Sequence, residues 1–306
     1  MDRDINRGAI NFSCEGDKMM KAILALAFVA LAVLCASSSS QEDMAKEDTA
    51  GYWLNKGNES REMAINEMQN QTAREIFLQE AREAYDNAIE IDPQSASAWF
   101  KKGELQIDFL GNYEEALNAF NKSTEINPQF ADAWYQKGKT LTGFGYFEEA
   151  LESYNKSLEI NPNSSDAWYW KAGVLAELSR HEEAVPAYDK AIELDPTQAS
   201  YWLDRGGALN RLNRTEGANA SFTRAVELCD EAIEQNPKSI MAWQGKGTAF
   251  YHLGRLNESI QCFDKVIELA PMYYRSYYYK GKALQDLGRE VEAEELFARS
   301  KELGGI

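Results

Sequence analysis

The sequence is poor in the residues that most site chemistry needs. It has two histidines, His181 and His252, and they stand alone in the chain. No Cys/His/carboxylate cluster has metal-ligand spacing, so a bound metal and a histidine-based catalytic group are both excluded, and no metal ligand is assigned. No glycine-rich phosphate loop follows a strand-like segment, which removes the nucleotide-binding classes built on such a loop. No cofactor is implied. Basic residues are in deficit, with 32 Lys and Arg against 49 Asp and Glu, a net charge of −17. That balance disfavours nucleic acid phosphates. It fits a solvated acidic surface or attraction to a basic partner. Proline is scarce as well: of seven, six recur at regular places and only Pro186 falls elsewhere.

What is present is a repeat. Trp53, Trp99, Trp134, Trp168, Trp202, Trp243 and Tyr277 are spaced by 46, 35, 34, 34, 41 and 34 residues. Pro93, Pro128, Pro162, Pro196, Pro237 and Pro271 close the first six intervals. A fixed period of this size overrides segment-by-segment reading. The clearest copy, Trp134 to Pro162, reads as two short amphipathic helices with a tight turn and a stop. A small residue follows each opening aromatic by four: Gly57, Gly103, Gly138, Ala172, Gly206, Gly247 and Gly281. Ala150, Ala184, Ala218 and Ala293 are expected to face it from the second helix. Tyr154, Tyr188, Phe222, Phe263 and Phe297 follow one turn on. Proline then stops the second helix.

These landmarks, W-x-x-K-G, a small residue, an aromatic and a closing Pro at a 34-residue period, resemble the tetratricopeptide repeat family, in an exported prokaryotic (including archaeal) form. The resemblance covers residues 53–306. It implies an all-α fold: an α-solenoid of about seven helix-turn-helix units forming a right-handed superhelix, whose concave face binds peptides or protein segments. By offset from the opening aromatics, that concave groove would carry Phe100, Glu104, Tyr135, Lys139, Tyr169, Asn210, Tyr251, Tyr278 and Lys282. Aromatic anchors with polar neighbours suit an extended peptide or loop. The groove lacks the Lys/Asn pattern with which some family members clamp a chaperone's C-terminal carboxylate.

Two repeats depart from the period. The fifth is longer by seven residues, almost two turns, so its second helix, about Glu216 to Gln235, can lengthen with the same face inward. The first is longer by twelve, which would rotate one continued helix out of phase, so longer helices with an altered loop are expected. The second carries one extra residue before Gly111.

The chain is divided as 1–36, 37–50 and 51–306. Met19-Met20-Lys21, the apolar run AILALAFVALAVL and small residues make residues 1–36 an export signal, with translation starting at Met19 or Met20. The run is short for a membrane span. Cys35 offers a lipidation site; an uncleaved anchor is the third alternative. Residues 37–50 are a polar linker. All readings place the 51–306 array outside the cytoplasm, secreted or associated with the cell envelope. There, Asn58, Asn70, Asn121, Asn155, Asn163, Asn213, Asn219 and Asn257 head N-glycosylation sequons. Cys229 and Cys262 sit where the repeat wants modest apolar residues and are expected to be packed thiols. The Lys or Arg three after each opening aromatic is expected to cover the seam with its stem, its charge in solvent. Glu148-Glu149 and Glu182-Glu183 suit the positive start of a helix. No separate capping helix follows Leu303-Gly304-Gly305, so an apolar edge and self-association through the last repeat are expected.

With the chain consumed by repeats, the sequence points to a non-enzymatic scaffold for a protein or peptide partner in envelope assembly. The alternatives are a carbohydrate-binding envelope component, stacking sugars on Tyr135, Tyr169, Trp170 and Tyr278, and an accessory subunit of an enzyme complex.

Overall fold

The computed structural model describes residues 49–67 and 69–305. The export signal, Cys35 and nearly all of the 37–50 linker lie outside them. Among the described residues there are fourteen α-helices and no strand. None of these helices is long and apolar enough to cross a membrane.

Packing divides the described residues into two parts, one up to residue 111 and one from residue 112. The first contains α1 (Ala50–Asn66), α2 (Gln71–Ile91) and α3 (Ala96–Leu105), which runs on into a π-helical turn, Gln106–Leu110. The second contains α4 (Tyr113–Ile126), α5 (Ala131–Gly143), α6 (Phe147–Ile160), α7 (Ser165–Glu177), α8 (His181–Leu194), α9 (Ala199–Arg211) and α10 (Thr215–Gln235). It ends with α11 (Ile240–His252), α12 (Leu256–Leu269), α13 (Tyr274–Asp286) and α14 (Glu290–Glu302). Odd-numbered helices begin the repeats and even-numbered helices complete them.

Each landmark has a contact. Trp134 Nε1 donates to the Pro128 carbonyl at 3.0 Å, and Trp99, Trp168, Trp202 and Trp243 bond in the same way to Pro93, Pro162, Pro196 and Pro237. Tyr277 keeps the bond with its hydroxyl, to Pro271 at 3.0 Å. The opening aromatic is thus tied to the proline that closed the preceding repeat. The expected glycine–alanine contact is corrected. A methyl group on Gly138 would lie 2.8 Å from the Tyr154 ring, on Gly206 2.6 Å from Phe222, and on Gly281 2.7 Å from Phe297. The nearest neighbour of the glycine is the ring one turn beyond the alanine, which leaves no room for a Cβ. Tyr85 takes this role over Gly57 in the first repeat.

In the third to seventh repeats the two helices are joined by one residue in the left-handed region. Gly145, Gly254 and Gly288 fill it, but Ser179 (φ 60°) and Asn213 (φ 56°) do so without glycine's freedom. The chain then closes in a six-residue cap, as in the 2.8 Å bond from Arg180 N to Leu175 O. Glu148-Glu149 and Glu182-Glu183 occupy the first turns of α6 and α8.

The irregular repeats keep helical phase. α1 has 17 residues where α5 has 13, and α2 has 21 where α6 has 14. The twelve extra residues are split into about one turn, two turns and a loop residue, so neither apolar face rotates away. The residue added before Gly111 produces the π turn, the ordinary result of one insertion in an α-helix. The guanidinium groups of Arg61 and Arg74 lie 5.7 and 5.5 Å from its Phe109 ring, and Arg61 also pairs with Asp108 at 2.6 Å. α10 has 21 residues, as its length excess predicts. The final helix turns Glu292, Glu294, Glu295 and Arg299 to solvent. The expected apolar edge there reduces to Val291 among the large exposed side chains of α14.

Candidate functional site

The seven extra residues of α10 have a local consequence. Tyr154 and Tyr188 stand fourteen residues before the next opening aromatic, whereas Phe222 stands twenty-one before Trp243. The helix therefore serves two registers. Phe222 packs on Gly206 of α9, but the position fourteen before Trp243 holds Cys229. A small thiol takes the place of a ring against α11. A methyl group on Gly245 would lie 3.0 Å from Cys229 Sγ, so α11 approaches the thiol closely. His252, at the end of α11, stacks on Phe222 with centroids 4.8 Å apart.

Beside this substitution lies a hollow of ≈ 680 Å³. α7 contributes Tyr169, α9 contributes Leu203, Asp204 and Gly207, and α11 contributes Gln244, Gly245, Thr248 and His252. Cys229 and Ala232 of α10 form one wall, and Arg275 and Tyr279 of α13 another. A second hollow of ≈ 380 Å³ shares Arg275 and Tyr279 and adds Tyr274, Tyr278 and Ser300.

Three tyrosine hydroxyls in and near these hollows are already engaged. Tyr169 Oη donates to Asp204 at 2.7 Å and Tyr251 Oη to Asp286 at 2.7 Å, each across to the next repeat. Tyr273 Oη donates to Gln244 Oε1 at 2.8 Å. Burial, with the neighbouring carboxylate second, pushes Tyr169 far above the usual tyrosine range and Tyr251 up to about 12. Asp204 keeps solvent access along the groove, yet protein atoms crowd it, and this desolvation raises its pKa. Burial likewise pushes the Cys229 and Cys262 thiols up to about 11. Both are buried free thiols, unsuited to nucleophilic work.

Of the groove residues expected from sequence, Tyr169 lines the larger hollow and Tyr278 the smaller. Tyr135 and Lys139 form a cluster with Trp170 farther along: Lys139 Nζ lies 5.5 Å from the Tyr135 centroid and 5.9 Å from that of Trp170. Burial raises Tyr135 to about 12. Tyr251 reaches Asp286, while Asn210 and Lys282 line neither hollow. Phe100 is a core residue, 6% exposed, and Glu104 is paired with Lys101 at 2.7 Å. Neither presents an open binding surface. The offsets missed Asp204, Gly245 and Tyr279, which stand two places after their opening aromatics, and Arg275. Cys229 and Ala232 were signalled only by the length excess of α10.

The sequons fall into two groups. Asn70, Asn163 and Asn213 lie in connections between helices. Asn58, Asn121, Asn155, Asn219 and Asn257 lie within helices, and their sequon serines, Ser60, Ser123, Ser157, Ser221 and Ser259, are buried. In these five the serine is a small core residue.

Models described as tetratricopeptide repeat match residues 135–199, 186–239 and 84–118, and one described as TPR repeat matches 110–142 and 247–288. No curated protein matches the chain. A tetratricopeptide repeat protein from Parabacteroides merdae is similar at 17% identity, over 82% of this chain and 94% of that one, with a TM-score of 0.59. A chain of the APC/C hetero-tetramer Cut9-Hcn1 is similar at 14% identity, over 82% of this chain and 50% of that one, with a TM-score of 0.59. YrrB, a TPR protein with an unusual peptide-binding site, has 22% identity over 65% of this chain and 98% of its own, with a TM-score of 0.47. The repeat models together span more than half of the 306 residues, and the chain belongs to the tetratricopeptide repeat family.

Proposed function

We propose that the protein is a non-enzymatic scaffold that binds a segment of a partner protein in the hollow bounded by α7, α9, α10, α11 and α13. The observation that carries this reading is the hollow itself. The Tyr169 hydroxyl in it is satisfied internally by Asp204, so at that residue it offers the ring, beside Leu203 and the stem of Arg275, to a ligand. Such surfaces anchor a partner by burial and leave a few polar groups, Thr248 and Gln244 here, to orient it. Among structural neighbours, one chain is solved within the APC/C hetero-tetramer Cut9-Hcn1. An enzyme served as an accessory subunit would be one such partner.

The apolar run at 22–34 supports export, and with it a place in the cell envelope, anchored or released according to the fate of Cys35 and the signal. In that setting Asn70, Asn163 and Asn213 are the sequons an oligosaccharide reaches most readily. Self-association through α14 rests on Val291 alone. Sugar stacking is the weaker reading, because one face of Tyr169 is covered by Tyr201, stacked at 4.6 Å.

A test uses Gly207→Phe. Position 207 lines the hollow and has open space where a Cβ would stand, so a side chain there projects into the hollow and replaces a helix-interior glycine. Affinity capture from native envelope extract should lose the partner retained by the unaltered protein, with the unfolding midpoint unchanged or raised. Equal retention by both would remove the hollow from the binding site.

A further inference from the structure

The basic residue three places after the opening aromatic has a recurrent partner on the preceding helix. Lys102 pairs with Asp86 at 2.7 Å, Arg205 with Asp189 at 2.6 Å, Lys280 with Asp264 at 2.5 Å, and Lys246 with Asp230. The aspartate always stands thirteen residues before the aromatic. At two other positions in this series, Asn121 and Asn155 replace it. Among the described residues, Lys137 and Lys171 then form no ion pair.

Their ammonium groups have settled elsewhere. Where the aspartate is present, the lysine Nζ lies 5.7 Å (Lys102) or 5.6 Å (Lys246) from its tryptophan ring. Without it, Lys137 lies 4.9 Å and Lys171 4.8 Å from the ring. Lys56, for which no preceding helix is described, lies at 4.7 Å. The cation leans on the indole when no carboxylate draws it away. Partial burial also lowers the pKa of both lysines, a cost that a counter-charge would relieve.

The two vacated places differ in their surroundings. The Lys137 hollow is lined by Glu149, Glu152 and Glu159, which already supply negative charge. The Lys171 hollow, ≈ 280 Å³ between α6, α7 and α8, has Lys171, Arg180 and Lys190 against Glu183. Arg180 holds Glu183 at 2.7 Å and Lys190 holds Glu193 at 2.5 Å, so Glu183 acts on Lys171 only from a distance and Lys171 is the cation without an ion pair. Its walls are apolar: Leu151, Leu175, Pro186 and Ala187.

We propose that this hollow binds a glutamate or aspartate side chain of a partner protein, its carboxylate on Lys171 where four sister seams place an aspartate, and its apolar neighbours on Leu175 and Pro186. The chain's net charge of −17 repels a run of acids, but beyond about 8 Å salt screens that repulsion. A single acid between apolar residues is therefore the fitting occupant. The site lies apart from the α10 hollow and does not rest on it.

The probe is acetyl-Leu-Glu-Leu-amide, with the Gln peptide as control, followed by NMR of the Trp168 indole N–H, which is bonded to Pro162. The Glu peptide should shift that resonance to saturation, and the Gln peptide should bind at least about tenfold more weakly. Asn155→Asp restores the repeat's own carboxylate and Lys171→Gln removes the cation; each should weaken binding by at least about tenfold. Asn155→Asp should keep or raise the unfolding midpoint, so that its loss of binding is not loss of fold. Lys137→Gln and Gly207→Phe should bind as the unaltered protein does. Equal binding of the Gln peptide, undiminished binding by Asn155→Asp, or no shift of Trp168 at millimolar Glu peptide would overturn the proposal.

Discussion

α2 and α10 each have 21 residues, seven more than α6, and each addition preserves helical phase. They are lengthened at opposite ends. The ring of α2, Tyr85, stands six residues before the helix ends, as Tyr154 does in α6, so its addition lies at the start. Phe222 stands thirteen before the end of α10, so that addition lies at the finish. The α2 addition is used up in packing: Arg74 lies against Phe109 of the π turn, and Phe77 joins the core of Leu78, Ala81 and Tyr85. The α10 addition does the reverse, substituting Cys229 for a ring and bordering a hollow. The same two turns of helix fill space at the first repeat and create it at the fifth. What matters is whether the addition precedes or follows the aromatic landmark.

The largest effect tests what the two helices share. Tyr85→Ala and Phe222→Ala should each cost about 3–5 kcal/mol, since both rings are 0% exposed and cover a glycine. Urea unfolding measures this, and a loss under about 1 kcal/mol at either site would break the equivalence. Next comes removal of residues 71–77. It keeps helical phase but uncovers Phe109 and deletes Phe77, and should destabilise residues 49–111 by roughly 2 kcal/mol of lost burial. A chain without them that matches the intact one in stability would show that the α2 addition packs nothing. Arg74→Ala is milder, about 0.5–1 kcal/mol from one cation–π contact at a surface.

The seven-residue register at the fifth repeat was legible because the spacing of Trp202 and Trp243 exceeds the 34-residue period by seven, about two turns. The hollow was not, because it depends on which residue the slide carries into the place of a ring, and Cys229 reads alone as a modest core residue. The twelve-residue excess of the first repeat foretold longer helices but not their division. The Lys–Asp seams were missed for a similar reason. Lys102 and Asp86 are sixteen residues apart, on the two sides of a proline, and each has a sufficient local explanation as a surface charge. The glycines were assigned to the alanines because both are small; the ring over Gly138 shows that a small residue can make room for a large one.

The smallest effect is a pH dependence at the α10 end. Burial against Phe222, with Arg211 second, lowers the pKa of His252. The unfolded chain then binds the extra proton first, so this contribution is present above the ordinary histidine range near 6.5 and is lost as pH falls through it toward the folded value. Unfolding midpoints taken from pH 7 to pH 5 should drop slightly, and His252→Phe should flatten that part of the curve. An equal drop in the variant would assign it to other groups.

The most direct test of a binding hollow made by α10 removes residues 229–235. The deletion brings Phe222 to fourteen residues before Trp243, the place that Tyr154 and Tyr188 hold before their next tryptophans, and closes the hollow. Partner capture by this chain should fall to background while its circular dichroism remains helical and its unfolding cooperative. Undiminished capture by a folded deletion variant would contradict the account and place the partner elsewhere on the repeats.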